Sequence, residues 1–355
     1  MQKTFKINKR LIGDRFPTYF IADIAANHDG NLKKAIKLIR EAKKSGADAA
    51  KFQHFSADTI VSDGSFRMFK KLSHQSKWKE SVYKVYEKAS LDLKWTPILQ
   101  NECKKVGIDF FTSPYSFDLV DHVNKYVPAF KIGSGDITWI EITKYIASKK
   151  KPYIIATGAS DISDVKRVYN ACISLNKQIA IMQCNTNYTA EKDNFSYINL
   201  NVLKTYKKLF PRAILGLSDH TLGHSTVMGA IALGARIIEK HFTLNNNSNG
   251  PDHKFSMNPH TWKKMIFASR ELEKSLGIEL KQIEKNEKDT VIVQRRSIHS
   301  KHILNKGHII KKDDLKFLRP CPKDGINPYD YKKVIGKKTK KKILKNNIIT
   351  FKDLY

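Results

Sequence analysis

Paired cysteines are missing from this chain. Cys103, Cys172, Cys184 and Cys321 are scattered over 355 residues with no C-x-x-C spacing. That excludes a disulfide-stapled secreted domain and a thiolate zinc finger, and predicts reduced thiols in a cytoplasmic protein. Long apolar runs are missing too: nothing approaches the ~18 uninterrupted apolar residues of a membrane span. Residues 1–10 are basic but lead into no apolar stretch, which argues against a secretory signal. Acidic residues are scarce, 34 Asp and Glu against 64 Lys and Arg, for a formal net charge of +30. The lysines are spread along the whole length, greatly outnumber the arginines, and make no arginine-rich tract or zinc-finger spacing. Neither a nucleic acid nor a membrane is therefore expected as a partner. So positive a field still favours encounter with small anions.

What is present is a repeated alternation. Eight short apolar runs, at 19–25, 49–55, 109–114, 129–133, 153–157, 179–184, 213–217 and 236–241, are nearly continuous in hydrophobicity. Strands covered on both faces read this way. Amphipathic helical patterns intervene, for example 32–45, 94–106 and 226–233, with Gly46, Gly107 and Gly234 as their stops. Eight such units over residues 1–280 predict an α/β fold, a (β/α)₈ TIM barrel. An open doubly wound sheet is the rival; it usually has fewer strands, and no G-x-G-x-x-G follows the first one. The second unit carries an insertion, 57–93, whose stretch 73–78 suggests a lid or rim over the barrel mouth. A charged linker is expected over 281–293. From residue 291 onward the chain changes character, with strand-like pieces at 291–293, 308–310 and 348–351 and turn signals at Asn305-Lys306-Gly307 and Lys323-Asp324-Gly325, and a second small domain is expected over 294–355.

Polar groups gather where the predicted strands end, the face on which barrel active sites are built. Asp23 closes the first strand; Lys51 and Gln53, two apart, share one face of the second. Ser113 follows Thr112, and Lys131 precedes Gly133-Ser134-Gly135. Thr186 and Tyr188 follow the sixth strand, Ser218 and His220 the seventh, Glu239 and His241 the eighth. Two neutral imidazoles converging at one mouth make a plausible site for a borderline metal with room for a substrate oxygen. Lys51 and Lys131 sit mid-strand, where an unpaired ammonium would be costly, so an anionic partner is expected. With the hydroxyls and loosened turns around them, a small phosphorylated or carboxylated anion fits best.

The chain resembles the bacterial sialic acid synthases. The resemblance rests on A-D-I-A-A-N-H-D-G (22–30), K-F-Q-H (51–54), F-T-S-P-Y-S (111–116), K-I-G-S-G-D (131–136), A-T-G-A-S (156–160), G-L-S-D-H-T (216–221), I-E-K-H-F-T (238–243) and N-G-P-D-H (249–253). Residues 294–355, with Arg319-Pro320 at their centre, resemble the mostly-β antifreeze-like SAF module of that family. The resemblance implies a transferase that condenses phosphoenolpyruvate with N-acetylmannosamine or a di-N-acetylated dideoxyhexose. It gives a 2-keto sugar acid and phosphate by C–O cleavage. It also implies His220 and His241 as ligands of a divalent metal, manganese ahead of magnesium or cobalt. Lys51, Ser113, Lys131, Ser134, Thr186 and Ser218 then surround phosphoenolpyruvate, and Gln53, Tyr188 and Asp252 contact the sugar. Glu239, Asp23 and Lys51 carry the catalytic roles. Arg319 matches an arginine lent to the neighbouring subunit, which implies a domain-swapped homodimer.

Two departures stand out. Asp23 occupies a position where the family usually has Glu, and Cys184-Asn185-Thr186-Asn187-Tyr188 replaces a C-T-S-x-Y-like sequence. Three alternatives are set against this reading. Another phosphoenolpyruvate-dependent aldol-type synthase, acting on a sugar phosphate, would not need the SAF module. A non-catalytic carbohydrate- or ice-binding role sits badly with the lysine-rich stretch 332–345. A basic nucleic-acid binder would show itself by duplex binding that survives physiological salt.

Overall fold

The computed structural model describes residues 3–69, 75 and 78–355. They divide into two compact units, Met1–Gly277 and Ile278–Tyr355. The first opens with an antiparallel hairpin, β1 (Thr4–Ile7) and β2 (Arg10–Gly13), turned at Asn8 with its φ at +48°. Eight parallel strands follow: β3 (Tyr19–Asp23), β4 (Ala49–His54), β5 (Asp109–Pro114), β6 (Phe130–Ile132), β7 (Tyr153–Ala156), β8 (Ile179–Cys184), β9 (Ile214–Asp219) and β10 (Ile237–His241). Their order is β5-β4-β3-β10-β9-β8-β7-β6, and β5 packs beside β6, so the sheet curls round to near closure. This is the predicted barrel.

Strand alternation sorts the side chains into two cores. Phe20, Ala22, Ala50, Phe52 and Phe110 point outward and pack under helices such as Leu32–Lys44 and Trp95–Val106. The inward set is apolar at one end: Tyr19, Ile21, Ala49, Phe111, Ile154 and Ile237 cluster with Phe5, Ile7 and Ile12 of the hairpin. The hairpin therefore closes the barrel's amino-terminal end. At the other end the same inward rows turn polar, through Asp23, Lys51, Lys131, Ser218 and Glu239, all buried. A packed lower layer beneath a polar upper one is the usual barrel division of labour.

Of the insertion, the structure describes helices Ala57–Ile60, Asp63–Met68 and Val82–Ala89. Of the stretch 73–78 only Gln75 and Trp78 are described; the rest of the expected lid lies outside the described residues. Among the described residues no helix is long and apolar enough to cross a membrane. All four cysteines are free and buried.

The second unit has its own small core of Ile298, Leu304, Ile310, Ile326, Val334, Ile343, Ile349 and Leu354. Its antiparallel pair, β11 (Ser297–Ser300) and β12 (Leu315–Leu318), is joined by single bridges such as His299 to Ile348 and Leu304 to Ile343. One local expectation fails: residues 291–293 lie within the helix Lys288–Gln294, not in a strand. Val-Ile-Val has strand propensity, but Ile292 and Val293 stay exposed, so no sheet holds them extended.

Candidate active site

The polar layer is wired by two lysines and two carboxylates. Lys51 Nζ lies 2.7 Å from Asp23 Oδ2 and 3.4 Å from Glu239 Oε2. Lys131 Nζ lies 3.3 Å from Glu239 Oε1 and donates to the Ile132 carbonyl at 3.2 Å. The strand register brings them together, since Asp23 pairs with Lys51 in one ladder and Glu239 with Ser218 in another. Ser218 Oγ donates to Glu239 Oε1 at 3.1 Å.

Burial works against every charge here, and the neighbours decide the outcome. Burial would raise the Glu239 carboxyl, but Lys131 and Lys51 outweigh it and hold it down at about 2. Asp23 has one lysine and faces Glu239, so burial wins and its carboxyl is raised. Burial lowers the Lys131 ammonium, whereas Asp23 and Glu239 overcome burial and raise Lys51. Such a nearly neutral quartet can part around an incoming anion, each lysine exchanging a carboxylate for a substrate oxygen.

The two histidines stand beside it. Their ring centroids are 5.2 Å apart, with Phe255 packed at 4.8 Å from His241 and Tyr188 at 4.3 Å from His220. Burial pushes both imidazoles down to about 3, so both are neutral and their lone pairs available. His220 Nδ1 donates to the Asn185 carbonyl at 2.7 Å, which turns Nε2 outward, the orienting bond that metal-ligating imidazoles carry. His241 Nδ1 is buried without a hydrogen-bond partner. These residues fit a divalent cation. Among the described residues no group of three or more His, Cys, Asp or Glu makes a complete cage, so water or substrate would complete the coordination sphere.

A cavity of about 390 Å³ opens above this layer. Asp23, Lys51, Gln53, Lys131 and Ser134 line one side of it. Thr186, Tyr188, Ser218, Glu239, the two histidines and Asp252 line the other. Gln53 Nε2 reaches Asp23 Oδ2 at 3.5 Å, and Asp252 Oδ2 accepts from the Ala26 amide at 3.2 Å. Burial pushes the Asp252 carboxyl up to about 6. Gly158 keeps the Ser134 corner open: a Cβ there would stand 2.4 Å from Thr186 Cγ2 and 2.9 Å from Ser134 Oγ. Its amide donates to that Oγ at 3.0 Å.

Two predicted residues are not among those lining the cavity. Ser113 is buried on β5 opposite Gln53, its Oγ without a partner, and does not line the cavity. Arg319 follows β12 in the second unit and is exposed. Sequence reasoning missed the cavity's aromatic wall, where Tyr115 and Tyr86 pack on Phe55 and Trp78 joins them. Three residues of Val82–Ala89 line it, so the insertion does form part of the rim. It also missed Phe255, whose only signal was the apolar alternation Phe255, Met257 in an otherwise polar loop. A larger depression of about 650 Å³ lies beside the cavity, over the ends of β7 and β8. Its polar lining is amides, hydroxyls and the Asp161 carboxylate, without a lysine, so the anion chemistry belongs to the smaller one.

The chain is similar to known proteins along nearly its whole length. The family model described as "NeuB family" matches residues 38–281, and "SAF domain" matches 295–354. N,N'-diacetyllegionaminic acid synthase of Campylobacter jejuni is 34% identical over 339 residues, covering 94% of this chain and 98% of that protein. Human N-acetylneuraminate-9-phosphate synthase is 31% identical over 93% of this chain and 90% of its own length. Among solved structures, the spore coat polysaccharide biosynthesis protein SpsE of Bacillus subtilis superposes with a TM-score of 0.65 at 29% identity, covering 99% of each chain. The sialic acid synthetase of Leptospira borgpetersenii shares the fold, with a TM-score of 0.72 at 23% identity, over 82% of this chain and 96% of its own.

Proposed function

The chain belongs to the NeuB family of acid synthases, and from that premise we propose that it condenses phosphoenolpyruvate with an N-acylated hexosamine. C3 of phosphoenolpyruvate bonds to C1 of the open-chain sugar, water adds at C2, and phosphate leaves by C–O cleavage. The products are a sialic-acid-type 2-keto sugar acid and phosphate. The observation that carries this reading is the pair of buried lysines, Lys51 and Lys131, sharing a cavity with two neutral imidazoles.

Lys51 and Lys131 bind the phosphate and carboxylate of phosphoenolpyruvate, each leaving its carboxylate partner as it does so. Ser134, Thr186 and Ser218 donate to the same anion. Gln53, Tyr188 and Asp252 hold the sugar. Its apolar faces lie against the Tyr86 and Tyr115 wall. Glu239, kept ionised by two lysines, accepts a proton once they turn to substrate, and Asp23, its carboxyl raised, stands ready to return one. His220 and His241 would hold a divalent metal, manganese ahead of magnesium or cobalt, which when bound supplies Lewis-acid polarisation of the aldehyde oxygen. Arg319 supplies its guanidinium to the partner's site in a swapped homodimer. The expected compartment is the cytoplasm.

The test is a panel of N-acetylmannosamine and di-N-acetylated dideoxyhexoses, incubated with phosphoenolpyruvate and manganese. Phosphate release with a product mass equal to sugar plus pyruvate is expected for at least one of them. Phosphate release with sugar phosphates alone would replace this reading with the aldol-type synthase.

A further inference from the structure

The segment after β10 places Asp252 in the cavity and is tied to the barrel through Phe242, Phe255, Ser256 and Met257. Beside Asp252 one further residue adds a tie of its own. His253 is fully buried, although it follows a cavity-lining aspartate in an otherwise polar loop. Its Nε2 lies 3.0 Å from Asp29 Oδ1, in the turn after β3, and its Nδ1 lies 2.6 Å from Thr243 Oγ1, just past β10. A carboxylate only accepts, so Nε2 donates to Asp29, while Nδ1 shares a hydrogen bond with the threonine hydroxyl. Both ring nitrogens are thereby used, on two different elements. The His253 carbonyl in turn accepts from Asn246 Nδ2 at 2.9 Å, which fixes the loop's other arm.

Two further features concern this spot. Gly250 has φ at +154°, and a Cβ on it would stand 2.7 Å from His253 Cδ2 and 3.2 Å from Asp29 Oδ1. The chain is pressed onto the imidazole–carboxylate pair, and only glycine permits that approach. Burial alone would raise the Asp29 carboxyl, but His253 and Lys34 outweigh it and keep it lowered, so the acceptor is charged. Asp252 itself is anchored by the Ala26 amide, three residues before Asp29 on the same turn. Neighbouring residues 252 and 253 thus take opposite directions from one backbone step, the first into the cavity and the second into its wall.

We propose that His253 is a positioning residue, a latch between Asp29 and Thr243 that sets the height at which Asp252 meets the acceptor sugar. Its effect on turnover rests on the reading of Asp252 as a sugar contact; its effect on the loop does not. The side chain touches no substrate, so losing it should alter one half of the site and spare the other.

The experiment uses full-length protein and three variants. His253→Gln removes the bridge. Asp29→Gly removes the carboxylate at a residue with φ at +50°, a conformation glycine adopts freely, so the variant folds even if the buried one does not. Asp29→Asn retains an acceptor and should restore most of what glycine loses. Amide hydrogen exchange over residues 246–256 should quicken in His253→Gln and Asp29→Gly but not in Asp29→Asn. The KM for the sugar should rise roughly five- to tenfold, with the KM for phosphoenolpyruvate and calorimetric manganese affinity within about twofold of the parent. Unchanged exchange in both disruptive variants overturns the latch, whatever the activity. Equal rises in both KM values overturn its restriction to the acceptor half. If the parent protein turns over no sugar, the proposed function fails, and exchange alone still decides the latch.

Discussion

Asp23 is one methylene shorter than the glutamate that the resemblance implies there, and its Oδ2 already lies between Lys51, Gln53 and His241. A longer side chain at that point must push past Lys51 toward the imidazole. Asp23→Glu should lower turnover on the protein's own sugar while leaving phosphoenolpyruvate affinity within about twofold. An equal loss of phosphoenolpyruvate affinity would put Asp23 in the other half of the site. Gly158→Ala makes the complementary prediction. Its added methyl collides with Thr186 and crowds Ser134, so phosphoenolpyruvate KM should rise at least about tenfold, with sugar binding little altered, as steady-state kinetics would report. At this scale much was legible beforehand. Asp23, Lys51, Lys131, Ser218, Glu239 and the two histidines were readable because each lies on or just past an apolar strand, and period two sends it inward; Asp252, in a loop, came only from the resemblance. Tyr86 and Phe255 were not readable, because they come from an insertion and a loop where no period fixes direction.

Between residue and barrel, one pair of strands does a separate job. Lys240 and Asp219 face each other in the β9–β10 register and form a fully buried ion pair. Lys240 also donates to the Thr221 carbonyl at 2.7 Å, and Thr226 Oγ1 to Asp219 Oδ2 at 2.7 Å. Each partner immediately precedes a histidine of the candidate metal site, on the opposite strand face. Lys240→Met should cost about 3–5 kcal/mol, because it strands a buried carboxylate. It should also weaken manganese binding, measured by calorimetry on whatever fraction stays folded. Lys240→Met with Asp219→Leu should regain much of the stability. If the single variant melts like the parent, the pair is not what holds the strand ends. The eight strands were foreseeable to within two residues at each end because buried parallel strands are nearly pure apolar runs. The hairpin at 4–13 was not, since its apolar content is only Phe5, Ile7, Leu11 and Ile12 among basic residues. Residues 291–293 misled for the opposite reason: their propensity was clear and their burial absent.

For the molecule as a whole, the buried titratable groups set its acid tolerance. Burial pushes His28 down to about 4, and His54, His220 and His241 down to about 3. Below pH 6.5 the unfolded chain binds protons at these four that the fold refuses, so they make stability fall as pH falls. Asp136 and Asp252, raised to about 6 by burial, act oppositely, because the fold takes up their protons first, and the raised carboxyls of Asp23 and Asp48 act with them. The lowered carboxyls of Asp29, Asp219 and Glu239 join the histidines, and that side prevails. Between about pH 6 and 4, metal-free protein should lose roughly 1.4 kcal/mol per pH unit for each proton of the excess. Thermal melts at pH 7.5 and 5.0 check this, and a level melting temperature would contradict it. The proposed swap of Arg319 between subunits has its own test. Co-expressed His241→Ala and Arg319→Ala, each inactive alone, should regain part of the activity in verified heterodimers; none would confine Arg319 to its own chain.

The hairpin that closes the foot of the barrel carries a consequence for how the protein is made. Phe5, Ile7 and Ile12 rest against side chains from strands as distant as β10. Loop closure over more than two hundred residues must therefore precede their burial. The hairpin waits longest for its place, with apolar surface left in water until Ile237 has been translated. A nascent chain stalled before β10 presents that hairpin to any holdase at hand, and release past it withdraws the offer.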